Sequence, residues 1–369
     1  MSFTYTDEQS MLDETLTALL EEFRHQSAIG EDYCAVVWQK LTELGLPAMP
    51  FEEADGGLGS SSADQMVVQR AIGRSALDLP FLSNSIVAGG MVASLARQAW
   101  TSALFASLIA GDSTLSLAHN EPLGNGPVTT AASSVEGGFV LSGTKSKALH
   151  GDRAAYFLVS ATLSEAQDPS LFLVPADAKG VSIASNGGLP GVVASDIRLD
   201  NVLVPADSLF AGPAQAVPSI RLALDRSLVA TVHEMVGAME RLQELTVDYL
   251  KLRKQFGVAL GTFQSLQHKA VDMYVELEQA RSMAIYANAM LAADQEHRHA
   301  AAVAAKLQVN KGARFVGETA VQLHGAIGMT MESETGRLFR RLTALQFLFA
   351  DSDQCLAELG ARSASILED

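Results

Sequence analysis

The chain has 369 residues and a formal charge of −16, with 26 Lys and Arg against 42 Asp and Glu. That balance argues against general nucleic-acid binding, and no run of about 18 uncharged apolar residues offers a membrane span. Cys34 and Cys355 lie far apart without a CxxC pair, and the acidic opening MSFTYTDEQS does not read as a signal peptide. A reduced, cytoplasmic location is expected. The length calls for two or three packed regions. Hydrophobic residues make up 48% and aromatics only 6%, so Ala and Leu carry the apolar content, which favours helix.

Residues 1–112 read as an N-terminal helical domain. Thr6 or Asp7 caps the first helix, and Val36, Val37, Leu41 and Leu44 pattern a second that ends near Gly45. A loop over 50–59 precedes helices over 63–76 and 84–111. From 113 to 210 short apolar runs alternate with Gly, Asn, Asp and Pro turns, and strands are expected over 139–145, 156–159, 171–174 and 192–199. Their spacing suggests a small β-barrel or sandwich. From 211 to 369 the chain is helical again, with four to five long helices expected to form a bundle. The fold class is therefore α+β, with a β-domain between two helical domains.

The stretch from Asp248 to Tyr286 carries the most information. Arg253 and Lys254 fall in the last turn of one expected helix, where the dipole favours cations, and Gly257 is expected to stop it. Phe263 and Gln264 open a second helix. Its residues Leu266, Ala270, Met273, Leu277, Ala280, Ala284 and Ala287 share one face. On residue types alone, this is either an ordinary amphipathic hairpin or a junction where Arg253, Phe256 and Gln264 grip a flat, phosphorylated ligand. Further on, Gln322-Leu323-His324-Gly325-Ala326-Ile327-Gly328-Met329 reads as a helix ending in glycines. That is either a plain terminus or a place where a phosphate approaches backbone. Arg337, Arg340 and Arg341 then read as a solvated face.

Other matches are set aside. Ser142-Gly143-Thr144-Lys145 fits SxxK but sits in an expected hairpin. His233-Glu234 lacks the second His of HExxH. His297 and His299 have no partners at zinc-ligand spacing and are expected to face solvent, so no metal site is expected. No GxGxxG follows a strand, which argues against a Rossmann site.

The motif RKQFG, followed by FQ, Q-H and D-M, resembles the signature of the acyl-CoA dehydrogenase family. The resemblance implies FAD as cofactor. It places Arg253 on the flavin pyrophosphate of a neighbouring subunit, with Phe256 and Gln264 on the same nucleotide. Gln322, Gly325 and Ala326 stand in the family's Q-x-x-G-G-x-G, near the ADP part, with Ala326 replacing the second Gly. Ala118-His119-Asn120-Glu121-Pro122 is similar to the T-E-P segment that touches the flavin pyrimidine, with Asn120 in place of Thr. Residues 143–151 occupy the place of G-x-K-x-W-I-T-N-G. There Lys147 and Leu149 replace the Trp and Thr that meet the flavin ring.

The family removes an α-proton with a Glu in Y-E-G-T. Counted from Gly325, that position is Phe349, which cannot accept a proton. Some members place the Glu in L-x-L-E-R, and Leu222-Ala223-Leu224-Asp225-Arg226 looks like that phrase, about two residues early. Asp225 is thus the candidate base, ahead of Glu234 and Asp351.

The phrase from Gly237 to Met283 resembles the small subunits of paired acyl-CoA dehydrogenases linked to pimeloyl-CoA or steroid side-chain breakdown. The resemblance implies an acyl-CoA substrate, an electron-transfer flavoprotein or similar acceptor, and a homo- or hetero-oligomer, dimer or tetramer. Three activities are open: α,β-dehydrogenation of an acyl-CoA, a non-catalytic partner subunit, and an O2-using flavin oxidase or hydroxylase of the same fold.

Overall fold

The computed structural model describes residues 5–24, 32–95, 101–122, 124, 126–164, 166–185, 191–330 and 332–368. Helices come first: α1 (Asp7–Arg24), α2 (Asp32–Glu43), α3 (Ser62–Ser75), a π-helical segment over Phe81–Gly89, α4 (Gly90–Ser94) and α5 (Thr101–Ala110). Eight strands follow: β1 (Leu115–Ala118), β2 (Ala131–Val135), β3 (Gly138–Leu149), β4 (Tyr156–Leu163), β5 (Pro169–Pro175), β6 (Val181–Ala184), β7 (Ala194–Pro205) and β8 (Leu209–Ala211). The chain then runs through α6 (Pro213–Leu252), the short strands β9 (Lys254–Gln255) and β10 (Val258–Ala259), α7 (Gln264–Met290), α8 (Gln295–His324), α9 (Glu334–Phe347) and α10 (Ser352–Glu368). By contact these elements form two compact units. One holds the described residues of Met1–Val37, Ser62–Leu79 and Asp225–Asp369, and the other those of Trp38–Ser61 and Pro80–Leu224.

The sheet lies in the second unit, in the order β6-β7-β3-β2-β4-β5-β8, with β1 pairing in parallel with β4. Its core is built by alternation. On β7, Ile197 and Leu199 point inward, then Val202 and Val204 do, so the buried set changes from odd to even positions. A bulge makes the change: the pairing with β3 shifts between Leu141 and Gly143, and Asn201 takes a left-handed φ of 51°. Phe139 packs edge-on against Phe172, with ring centroids 5.3 Å apart. The strands not expected from sequence, β1, β2, β6 and β8, have three to five residues each, too short for alternation to register.

The stretch expected as one helix over 84–111 is broken instead. The π-helical segment runs on into α4 through right-handed Gly89 and Gly90, and helix is left at Leu95, which is extended at φ −91° and ψ 159°, before α5 starts at Thr101. Within the π-helical segment, Asn84 Oδ1 accepts from the Leu115 N–H at 2.8 Å and so anchors the start of β1.

In the first unit α3 and α6 approach until backbone meets backbone. A Cβ on Gly73 would fall 2.0 Å from the Glu234 carbonyl oxygen, and one on Gly237 would fall 2.0 Å from that of Arg70. Only glycine allows this crossing. Beside it, Glu240 on α6 is 1% exposed and meets three arginines. Its carboxylate accepts from Arg70 Nε at 2.9 and 3.0 Å, Arg281 Nε at 2.8 Å and Arg74 Nη1 at 3.4 Å. Arg70 also reaches Asp13 at 3.1 Å, so α1, α3, α6 and α7 share one charge cluster.

A second cluster corrects the expectation of a solvated arginine face. Arg341 is buried, donating through Nε to Glu234 at 2.7 Å and pairing through Nη1 with Asp78 at 2.9 Å.

Neutralising Glu240 leaves three guanidinium groups without their common acceptor. Glu240→Gln is expected to cost about 3 kcal/mol, the lower end for a broken buried pair because the arginines keep part of their hydration. Urea unfolding of the two proteins measures the difference, and an unchanged midpoint would contradict the role given to Glu240.

Candidate functional site

In the first unit, α6 ends at Leu252 rather than running into the basic motif. Gln255 pairs with Val258, leaving Phe256 and Gly257 as a two-residue turn. Their φ values, 54° and 83°, are both left-handed, as a type I′ hairpin turn requires. Gly257 therefore closes a hairpin instead of stopping a helix. The turn lifts Phe256 to 91% exposure, its ring meeting only the edge of Phe263 at 6.3 Å. Arg253 is exposed, and among the described residues no carboxylate pairs with it. Its carbonyl oxygen accepts from the Leu260 N–H at 2.8 Å, which folds the chain back toward Gln264, the exposed first residue of α7.

The glycine motif behaves as expected of a helix terminus. α8 ends at Gly325, which adopts φ 66°, and nothing lies within 4 Å of where its Cβ would stand. Gln322, Gly325 and Ala326 are all exposed. A pair that sequence reading passed over joins this terminus to the hairpin. The His324 ring stacks on Tyr249 at 4.5 Å, and the Tyr249 carbonyl oxygen accepts from the Arg253 N–H at 2.8 Å. Burial pushes the His324 pKa down. Neutral His324 donates from Nδ1 to the Ala320 carbonyl at 2.8 Å, which leaves Nε2 to accept from the Thr335 hydroxyl at 3.4 Å. An aromatic four residues before Arg253 and a His before Gly325 were the available signal.

Phe349 is half-buried and left-handed, with φ 65°, just past the end of α9. The end of α9 is held from below. Lys306 is fully buried and donates to the carbonyls of Leu345 at 2.7 Å and Gln346 at 3.3 Å, and to Asn310 Oδ1 at 2.8 Å. Asn310 Nδ2 adds a bond to the Gln346 carbonyl at 3.2 Å. These contacts satisfy carbonyls that a helix end leaves open. Burial pushes the Lys306 ammonium down to about 7.

Asp225 is 1% exposed, and both of its oxygens are engaged. Oδ2 accepts from Arg298 Nε at 2.7 Å, and Oδ1 meets His299 Nδ1 at 2.5 Å. His299 Nε2 meets Glu358 on α10. His299 was expected to face solvent, yet it stands between two carboxylates, which only a doubly protonated ring can serve. His297 is exposed and pairs with Asp294 at the start of α8. Glu234 is fully buried against Arg341 and Gln69.

In the second unit, β1 leads into His119-Asn120-Glu121. Lys145 is 0% exposed and donates to Glu121 Oε1 at 2.7 Å, Ser160 Oγ at 3.1 Å and the His119 carbonyl oxygen at 3.3 Å. Glu121 also accepts from the backbone N–H and hydroxyl groups of Thr129 and Thr130. Burial works against its charge, but the bonds from Lys145, Thr129 and Thr130 outweigh that and hold its pKa down to about 2. Asn120 is half-exposed, and its carbonyl accepts from the Ser146 N–H at 2.8 Å. Leu149 is 8% exposed, with its carbonyl accepting from Ser116 Oγ at 2.7 Å. Lys147 is exposed at φ 55°. Among the described residues no group of three or more His, Cys, Asp or Glu is placed to hold a metal ion, and no helix is long and apolar enough to cross a membrane.

Family models for the N-terminal, middle and C-terminal domains of acyl-CoA dehydrogenases match residues 6–112, 123–202 and 218–362. Acyl-CoA dehydrogenase FadE27 of Mycobacterium tuberculosis is 25% identical, with 99% of each chain covered. A steroid ACAD variant of Tcur3481-Tcur3483 is 27% identical with a TM-score of 0.86, covering 98% of this chain and 99% of that one. The ChsE4-ChsE5 complex from Mycobacterium tuberculosis shares the fold, with a TM-score of 0.88 at 24% identity over 99% of each chain.

The carboxylates on either side raise the His299 pKa, the hydrogen bond to Asp225 being the largest cause. A raised folded-state pKa adds stability that is complete below the unfolded value of 6.5 and is lost as pH rises through the folded one. Unfolding midpoints are therefore expected to fall as pH rises above about 6.5, and His299→Gln to flatten that part of the curve. An equal slope in the variant would assign the dependence to other groups.

Proposed function

The chain belongs to the acyl-CoA dehydrogenase family of FAD-dependent oxidoreductases, and we propose that it works as one subunit of a pair that dehydrogenates an acyl-CoA thioester to the trans-2-enoyl-CoA, with the partner supplying the base. The observation that carries this reading is the state of its carboxylates. Position 349 is a phenylalanine. Of the three alternatives, Asp225 and Glu234 are buried and bonded to Arg298 and Arg341, and Asp351 caps the start of α10, its Oδ1 accepting from the Gln354 N–H at 2.8 Å. Carboxylate oxygens engaged by a guanidinium inside the helical unit are not free to approach a substrate carbon, and breaking such a buried pair is costly.

The residues fit FAD best at its nucleotide end. Arg253 is an exposed guanidinium with no carboxylate partner among the described residues, and a pyrophosphate is the planar-fork acceptor it suits. Phe256 offers a bare ring, Gln264 and Gln322 offer amides, and Gly325 and Ala326 leave room for close approach. At the ring end the Asn120 segment is retained, while Leu149 lacks a hydroxyl. Bound FAD supplies the two-electron acceptor. The chain's own part is to hold the nucleotide, with an apolar Phe349 at the position where the family carries its base. An electron-transfer flavoprotein or similar carrier is the proposed acceptor of the electrons.

An exposed apolar face of α7 supports an oligomer. Val271 is 57% exposed, and Tyr274, Val275 and Tyr286 are 48–49% exposed. The steroid ACAD pair and the ChsE4-ChsE5 complex are relatives that assemble from two chains, which favours a hetero-oligomer. A second reading has its own observation. Lys147 and Leu149 remove the ring-end side chains while the Arg253 hairpin is kept, as suits a non-catalytic subunit that completes a partner's flavin site.

Two measurements test these readings. Arg253→Ala is expected to weaken FAD binding about ten- to hundredfold in the assembled protein while the fold survives, as loss of a charge-assisted bond would. Unchanged flavin content would remove Arg253 from the site. Asp225→Asn is expected to leave acyl-CoA oxidation by the pair near wild type and to lower thermal stability. Loss of activity by orders of magnitude, with FAD and fold retained, would make Asp225 the base.

A further inference from the structure

A fully buried lysine is costly unless its ammonium is met by acceptors, and Lys145 meets three. Two of them, Glu121 and Ser160, account for an ion pair and a hydroxyl. The third, the His119 carbonyl oxygen, belongs to the peptide that joins His119 to Asn120. In a trans peptide the C=O and N–H point to opposite sides of the chain. Drawing the His119 oxygen inward to a buried ammonium therefore turns the Asn120 N–H outward.

Neighbouring bonds leave little freedom for this peptide to turn. The next peptide oxygen, that of Asn120, accepts from the Ser146 N–H at 2.8 Å. The His119 ring is fixed too: its Nδ1 lies 2.9 Å from Ser160 Oγ, which already accepts from Lys145 and so has its own hydrogen to donate. The Asn120 N–H itself has no acceptor among the described residues. Gly143 makes the arrangement possible, since a Cβ there would lie 2.8 Å from Thr130 Cα and push away the segment before β2, whose Thr129 and Thr130 deliver four donors to Glu121.

We infer that Lys145 is a positioning residue for the cofactor: from inside the sheet it orients the 119–120 peptide so that the Asn120 N–H faces outward as a donor to the flavin ring. This rests on the reading that the chain holds FAD at this segment. It explains how the ring end keeps a polar contact although Leu149 has no hydroxyl. The donor is backbone, and the residue that aims it is buried on the opposite side.

The test uses the full chain, assembled with its partner where FAD retention requires one. FAD dissociation constants, flavin absorption spectra and melting temperatures are compared for wild type, Lys145→Met, Glu121→Gln and the double variant. Glu121→Gln keeps the lysine and its grip on the His119 oxygen, so it is expected to lower the melting temperature with FAD affinity unchanged. Lys145→Met is expected to weaken FAD about tenfold and to shift the flavin spectrum. The double variant leaves no bare carboxylate behind, so it keeps the comparison available if Lys145→Met alone does not fold, and it is expected to show the same tenfold loss. A folded Lys145 variant that binds FAD as wild type does would overturn the inference. Equal weakening by Glu121→Gln would also overturn it, by making the pair a general support. Wild-type protein that takes up no FAD, alone or paired, would instead bring down the reading on which the inference rests.

Discussion

A charge removed from water must be met by an opposite charge or by dipoles, and this constraint decides much of what the chain can do. In the helical unit it is met by arginine. Glu240 gathers three guanidinium groups from two other helices, Glu234 takes Arg341, and Asp225 takes Arg298 and His299. Each pairing ties helices together and spends a carboxylate in doing so. The acids that local phrases would nominate for proton transfer are thus the ones already committed to holding the bundle. In the sheet the same constraint is met differently. Lys145 and Glu121 satisfy one another and recruit hydroxyls and peptide groups, so that the ion pair shapes a loop rather than a helix crossing.

How far this could be read from sequence follows the range of the interactions. The helix–strand–helix order was legible because periodicity and turn residues are local, and so were the strands over β3, β4, β5 and β7. The shorter strands were not, because three to five residues cannot show a period. The 84–111 stretch looked like one helix because it is largely apolar, and no Gly or Pro marks the turn to extended backbone at Leu95. The signature from Arg253 to Gln264 stood out by residue type. Its geometry did not, since Gly257 suits a helix end and a hairpin turn equally well, and the choice fell to Phe256 accepting a left-handed φ.

Side-chain roles were least legible where partners are distant in the chain. Asp225 looked available because Arg298 and His299 lie more than seventy residues on. Arg341 looked solvated because Asp78, in the loop after α3, and Glu234, on α6, are far away in the chain. Lys145 was set aside as a chance SxxK match, and nothing local marks a lysine as wholly buried. Tyr249 and His324 are unremarkable in their own segments, and their stacking shows that the hairpin after α6 and the glycine end of α8 are one assembly.

The hairpin after α6 also bears on how the protein is made. Leu252 is 80% exposed, Phe256 91% and Val258 43%, so an apolar tip stands beside the exposed Arg253. Between release from the ribosome and assembly, such a tip is an adhesive surface open to chaperones and to other unfolded chains. Recovery of intact protein then depends on how quickly the tip is covered. On the proposed reading of a paired protein, synthesis matched to that of the partner limits this exposure, and an excess of this chain over the partner prolongs it.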